Sequence, residues 1–279
     1  LDSQSASEPE NPVANATPGQ EELLENLNPQ QRQAVTHSGS ALLIVAGAGS
    51  GKTTVLTRRI AHILATGQAH PGQILAITFT NKAAREMLER VTSLVGDRAR
   101  GMWISTFHSA CVRILRREAR DRTSNFSIYD AQDSLRLITQ VTKELDLDPK
   151  KFAPKTLRNR ISNLKNECVT AADFEVKAQE NNPLEQATAR VYSRYQERLA
   201  VANAYDFDDL IMETVRLLTN NPEIARNYRA RFTHIFVDEY QDTNPAQYAL
   251  IRVLAGADLP ESTGQLTVVG DADQSIYAF

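Results

Sequence analysis

Ala41-Leu-Leu-Ile-Val-Ala-Gly-Ala-Gly-Ser-Gly-Lys-Thr53 joins an apolar, β-rich run to a glycine-rich turn that ends on a lysine and a hydroxyl residue. Leu56, Ile60, Ile63 and Leu64 then keep the spacing of one apolar helix stripe, so the turn lies between a strand and a helix. That context makes the octet Ala46 to Thr53 a phosphate-binding loop rather than an incidental turn. Gly47, Gly49 and Gly51 let backbone N–H groups wrap an anion at a helix N-terminus, with Ala48 and Ser50 between them and Thr54 just beyond. Lys52 can reach the β- and γ-phosphates of a nucleotide, and Thr53 can offer its hydroxyl to Mg²⁺. The first position of the pattern, ordinarily glycine, is Ala46 here, small enough for close backbone approach.

Four more apolar runs follow: Ile74-Leu-Ala-Ile-Thr-Phe79, Met102-Trp-Ile-Ser-Thr-Phe107, His234-Ile-Phe-Val-Asp238 and Leu266-Thr-Val-Val-Gly270. Near-continuous apolarity over this length predicts strands buried on both faces of a parallel sheet, and Trp103 within one of them reads as core. Ala84, Met87, Leu88, Val91 and Val95 supply a helical stripe between two of the runs, and the alternation predicts βα units. From Arg113 to about Ala204 strand signals stop. Helical spacing takes over at Leu135, Ile138, Val141 and Leu145, at Leu157, Ile161, Leu164 and Cys168, and at Val191, Tyr195 and Leu199. The expected organisation is an α/β core over 23–112 plus 205–279, interrupted by an all-helical insertion over 113–204, after a disordered acidic tail over 1–22.

A nucleotide site needs acids at a second strand end, to hold a metal and to activate water. Asp238 and Glu239 stand there: Asp238 as the metal ligand, Glu239 as general base on the water attacking the γ-phosphate. Other polar and aromatic clusters also follow strand ends, at Thr78-Phe-Thr-Asn81, Thr106-Phe-His108 and Gly270-Asp-Ala-Asp-Gln-Ser275. Open α/β sheets bind ligands along that edge, so one crevice can gather them all. His108 has no second histidine at ligand spacing, which excludes a metal role for it.

The composition narrows the class further. With 279 residues, 42% hydrophobic and 23% charged, the chain is globular and of about two-domain size. Two cysteines, Cys111 and Cys168, are too few for a disulfide scaffold and suit a reducing cytoplasm. No apolar run approaches a membrane span, and the first basic residue is Arg32, so a soluble, unexported, cytoplasmic protein is expected. Net charge of −3 does not itself point to a polyanion. It is unevenly spread, however: 113–204 carries 17 bases and 13 acids, or +4, leaving −7 elsewhere. Lys150, Lys151, Lys155, Arg158, Arg160 and Lys165 form an acid-free run that reads either as a solvated helix face or as a phosphate-backbone contact.

Seven blocks in order resemble the N-terminal half of superfamily 1 DNA helicases of the UvrD/PcrA/Rep type. They are Leu27-Asn-Pro-Gln-Gln31, the loop Ala46 to Thr53, Leu75-Ala-Ile-Thr-Phe-Thr-Asn-Lys-Ala-Ala84, Ser105-Thr-Phe-His108, Asp206-Phe-Asp-Asp-Leu210, Val237-Asp-Glu-Tyr-Gln-Asp242 and Gly270-Asp-Ala-Asp-Gln-Ser-Ile-Tyr277. The resemblance implies a RecA-like P-loop NTPase core that uses ATP and Mg²⁺. It implies that Gln31 reads adenine, Gln274 contacts the γ-phosphate, and Phe79, Phe207, Tyr277 and Phe279 stack on single-stranded bases. Asn81, Thr106 and His108 match positions that contact the DNA backbone. Phe279 stands where relatives carry Trp.

The activity so implied is ATP-driven 3′ to 5′ translocation on single-stranded DNA, with unwinding at single/double-strand junctions, in repair or replication and with protein partners of unknown identity. The sequence ends at Phe279, within a motif that relatives continue. A second core bearing arginine fingers is therefore expected to be missing, leaving poor ATP hydrolysis and no unwinding. Two alternatives stand beside this reading: the helicase subunit of a recombination nuclease, and a nucleotide-gated DNA-binding module without turnover. A P-loop kinase of small substrates is a remote third.

Overall fold

The computed structural model describes residues 19–39, 41–47, 49–259 and 264–271. The predicted tail up to residue 18, and the predicted site residues Ala48, Gln274, Tyr277 and Phe279, lie outside them. The first half of the chain gives α1 (Pro29–Thr36), β1 (Ala41–Val45), α2 (Lys52–Ala65), β2 (Ile74–Thr78), α3 (Asn81–Val95), β3 (Trp103–Thr106), α4 (Phe107–Glu118), β4 (Ser127–Tyr129) and α5 (Ala131–Glu144). There follow α6 (Pro154–Asn166), α7 (Ala171–Lys177), α8 (Pro183–Val201), β5 (Ala204–Asp206), α9 (Phe207–Asn220), α10 (Pro222–Arg231), β6 (His234–Val237), α11 (Pro245–Ala255) and β7 (Gln265–Gly270).

Five strands form one parallel sheet in the order β1-β7-β6-β2-β3, and they fall on the five apolar runs of the sequence. Side chains alternate across it with the period of two that a strand imposes. Leu75, Ile77, Ile235, Val237 and Val268 face one core with α4, α9 and α11. Ala76, Phe236 and Val269 face the other with Leu56 and Ile60 of α2 and Met87 and Val91 of α3. Trp103 is buried as core, beneath the Arg113 guanidinium 4.0 Å from its ring. The strands β2 and β6 are buried on both faces, but β1 is not: Leu43 and Val45 are 61% and 52% exposed. Among the described residues β1 pairs only with β7, and its apolar run packs Ile44 inward while the alternate residues face out.

The segment read as all-helical contains a strand the spacing did not foresee. Ser127–Tyr129 pairs in parallel with Ala204–Asp206, and three residues are too few to show a period. The helices α5, α6 and α8 close a separate core of Leu137, Ile138, Val141, Leu157, Ile161, Val191, Tyr192, Tyr195 and Leu199. Residue 113 does not separate the two cores. The helix α4 runs through it, and Ile114, Leu115 and Phe126 pack with the sheet, whereas Ala204 joins the helical core and Tyr205 the sheet core.

The basic run also divides. Lys150, Lys151 and Lys155 are exposed and Arg158 and Arg160 half-buried, but Lys165 is completely buried, held by Asp206 and Asp209. It lies four residues beyond Ile161 on α6, on the apolar face rather than the solvated one. Among the described residues no helix is long and apolar enough to cross a membrane, and both cysteines are free thiols.

A second buried cation fixes α1 to the sheet. Arg59 of α2 donates from Nη1 to the carbonyls of Ala34, Val35 and His37 at 3.0, 3.3 and 2.9 Å, and from Nε to Thr267 Oγ1 at 3.1 Å. It therefore caps the end of α1 with a side chain from α2. Arg59→Met strands those carbonyls, and a buried acceptor left unmade costs about 1–3 kcal/mol. A fall of about 2–3 kcal/mol in urea unfolding, at unchanged slope, is the expected result.

Candidate active site

The register aligns the strand ends, with Val45 beside Gly270, Ile77 beside Val237 and Thr78 beside Thr106. The loop after β1 is tied down by Ala46 N donating to Gly270 O at 3.2 Å, and by Ser50 Oγ donating to Gly47 O at 2.6 Å. Gly49 and Gly51 take φ of +74° and +82°, open to glycine and strained for other residues. Gly51 is the N-cap of α2 and provides no side-chain acceptor, so the first N–H groups of that helix have no side-chain cap and are open to an anion. A Cβ on Gly51 would stand 3.2 Å from Gln31 Nε2. Gln31 itself donates from Nε2 to Ser50 O at 3.0 Å, while its Oε1 accepts from Asn28 N in the capping box of α1.

Lys52, Thr53, Thr54, Gly49, Gly51, Glu239 and Asp271 line one cavity of about 460 Å³, together with Arg90 from α3. Lys52 Nζ lies 3.5 Å from Asp271 Oδ2, both side chains nearly buried. Asp238 extends β6, its N–H donating to Ile77 O at 3.1 Å, and its Oδ1 accepts from Glu239 N at 3.0 Å. Burial, and then the neighbouring Glu239 charge, push the Asp238 carboxyl above its ordinary range, while Lys52 pulls it down. Lys52 thus acts electrostatically on both strand ends. Glu239 adopts φ +50° and ψ +45°, a left-handed conformation costly for a residue with a Cβ. Its Oε2 accepts from Gln241 Nε2 at 2.6 Å.

The remaining predicted residues gather at the other end of the same edge. From β1 to β3 is four inter-strand steps of roughly 4.8 Å, or about 19 Å. Phe79 packs edge-to-face on Phe107, with centroids 5.3 Å apart, and is partly buried. Asn81 is exposed at the start of α3. Thr106 is the N-cap of α4, its Oγ1 accepting from Ser109 N at 3.2 Å, so its hydroxyl already serves the helix. His108 stacks on Phe207 at 3.8 Å, and burial lowers its pKa to about 4, leaving it neutral near pH 7. Phe207, first residue of α9, is 51% exposed.

The spacing missed Arg90 and Gln241. Arg90 lies well along α3 on an exposed face, where nothing in the pattern distinguishes it from a solvated arginine. Asp271 could have been singled out, since an acid directly after a buried strand was the signal used for Asp238.

A parallel sheet whose first strand runs through a glycine-rich loop into a helix, with an acid pair on a neighbouring strand end, is a RecA-like P-loop fold. The chain belongs to the UvrD/REP helicase family: the model of the UvrD/REP helicase N-terminal domain matches residues 27–279. It is 60% identical to the ATP-dependent DNA helicase UvrD1 of Mycobacterium tuberculosis (strain ATCC 25618 / H37Rv), over 93% of this chain and 34% of that protein. The UvrD1 of Mycobacterium leprae (strain TN) is 56% identical over 92% of the chain. The ATP-dependent DNA helicase PcrA of Staphylococcus aureus (strain NCTC 8325 / PS 47) is 51% identical over 92% of it. The chain spans about a third of the length of these relatives, 34% in each case.

Proposed function

We propose that this chain is the first motor core of an ATP-dependent DNA helicase that moves 3′ to 5′ along single-stranded DNA in repair or replication and opens single/double-strand junctions. The observation that carries the reading is the single cavity that holds Lys52, Thr53 and Glu239 on the edge of the sheet whose β3 leads into His108, stacked on Phe207 of α9. In this reading ATP lies along the loop from Ala46 to Thr54. The triphosphate replaces Asp271 as the partner of Lys52, and Arg90 adds a second positive charge. Gln31 must release Ser50 O to read adenine.

Two adjacent carboxylates, one buried and pushed toward neutrality, form a donor set that a divalent cation suits. Thr53 and Asp238 would hold Mg²⁺, which would supply positive charge against the phosphates. Glu239 takes a proton from water as that water's oxygen bonds to the γ-phosphorus and the bond to the ADP oxygen breaks. The division of labour follows the two cores: 23 to about 126 plus 205–279 as the motor, and the helical unit between them as an accessory subdomain. A second core supplying arginine fingers, worth about 10³–10⁵ in turnover, belongs to this scheme, so residues 1–279 alone bind ATP, hydrolyse it slowly and unwind nothing.

The test is ATP turnover of the full gene product with and without single-stranded DNA, beside strand displacement from 3′- and 5′-tailed duplexes. Turnover indifferent to DNA would overturn the motor reading, and preference for the 5′ tail its direction. Phe207→Ala is expected to weaken single-strand binding by about 1–3 kcal/mol, read by fluorescence titration of a 2-aminopurine oligonucleotide. Lys151→Gln should instead lower the slope of log affinity against log salt by roughly 0.7 if it meets one phosphate.

A further inference from the structure

We propose that Gln241 is a positioning residue that sets the Glu239 carboxylate for its work. Its side chain spans two strand ends: Nε2 donates to Glu239 Oε2 at 2.6 Å, and Oε1 accepts from the Asp271 backbone N–H at 3.0 Å. The residue beneath this bridge is Gly270, where a Cβ would stand 3.3 Å from Gln241 Oε1, so the amide lies flat against the end of β7 because no side chain is there. An amide can donate at one end and accept at the other, which neither a carboxylate nor an ammonium of similar reach can do. A carboxylate repels Glu239, and an ammonium cannot accept from Asp271.

Glu239 stands beyond the end of its strand in a left-handed conformation, on a side chain with three rotatable bonds. Its backbone alone does not fix where the carboxylate points. Gln241 occupies one carboxylate oxygen and leaves the other to a water. It also makes that orientation depend on Asp271, whose carboxylate pairs with Lys52, so the two ends of the cavity are joined through one side chain. A base must stand within about 2.6–3.2 Å of the proton it takes, and an error of about 1 Å can cost on the order of 10²-fold.

The inference rests on the reading of Glu239 as general base, and the test separates the two. Steady-state ATP turnover is measured on the full gene product bearing Gln241→Ala, Gln241→Glu or, as reference, Glu239→Gln. Gln241→Ala is expected to lower kcat roughly 10–100-fold with KM for ATP changed less than about threefold. Gln241→Glu has the same shape and still accepts from Asp271, but donates nothing to Glu239. It is expected to be at least as slow, again with KM for ATP changed less than about threefold. Because that variant is isosteric, the comparison survives if Gln241→Ala melts early. Turnover of Gln241→Glu equal to the unaltered protein would make Gln241 a brace for Asp271 alone and overturn the proposal. So would a slow Glu239→Gln beside an unimpaired Gln241→Ala. Full turnover by Glu239→Gln would overturn the general-base reading instead.

Discussion

Glu239→Gln is expected to bind ATP as the unaltered protein does and to turn it over roughly 10²–10⁴-fold more slowly, the span that one positioned base contributes. The substitution keeps shape and removes only the ability to take a proton. Glutamine fits the same left-handed backbone, and its carbonyl oxygen still accepts from Gln241 Nε2. The groups that would grip phosphate lie elsewhere in the cavity, on the loop after β1, on Lys52 and on Arg90. Binding and chemistry therefore separate. Fluorescent-nucleotide titration reads the first and phosphate release the second. A nucleotide-gated binding module, in which hydrolysis is vestigial, shows no change in either measurement, so this variant distinguishes a motor from a switch.

Much of this was legible because strands and loops announce themselves locally. An apolar run of five residues closed by glycine, acid or hydroxyl marks a buried strand and its carboxyl end at once. All five sheet strands fell where such runs predicted. Illegible were the features that depend on who lies next to whom. Nothing in Leu43 or Val45 says that, among the described residues, β1 has a partner on one side only. Thr106 and His108 match positions that contact DNA; the Thr106 hydroxyl is the local N-cap of α4, while the His108 imidazole is kept neutral by burial where α4 meets α9. Arg90 reaches the cavity, and Gln241 two of the residues that line it, only through packing. The basic run shows the same limit: six positive residues in sixteen look alike until Lys165 meets two carboxylates 41 and 44 positions further on.

Lys165→Met is expected to cost about 3–5 kcal/mol, because removing one partner of a buried ionic cluster strands the others. All four carboxylate oxygens of the cluster are partnered. Lys165 Nζ lies 2.7 Å from both Asp206 Oδ2 and Asp209 Oδ1, Tyr195 OH donates to the first at 2.9 Å, and Gln196 Nε2 donates to the second at 3.1 Å. The other two oxygens accept backbone N–H groups across the capping box of α9. One lysine serves two carboxylates, and the charge left over falls unequally. Burial opposes ionisation of Asp206, but the Lys165 charge outweighs it and holds that group low. Burial, and then the Asp206 charge, push Asp209 up to about 7.

The sign follows from linkage. The unfolded chain releases the Asp209 proton near its ordinary 3.8 and the folded chain near 7, so this group's contribution is complete below about pH 3.8, declines as pH rises from there to about 7, and is gone above it. His62, His108 and His234 act in the opposite sense: burial lowers their folded pKa values, and the unfolded histidines are still half charged near pH 6.5, so these groups gain stability as pH rises. Comparison of the two proteins isolates Asp209: between about pH 4 and 7 the melting temperature of Asp209→Asn should rise more, or fall less, with pH than that of the unaltered protein, and the two profiles should run parallel above about pH 8. Lys165→Met combined with Asp209→Asn should cost less than the two changes added, since one of the stranded charges is gone. A loss below about 1 kcal/mol in Lys165→Met would mean that water reaches the site and that the cluster is ordinary surface chemistry. Asp206 also caps α9, whose first residue is Phe207, so a loosened cluster should be felt first in the Phe207–His108 stack that faces the proposed path of the DNA.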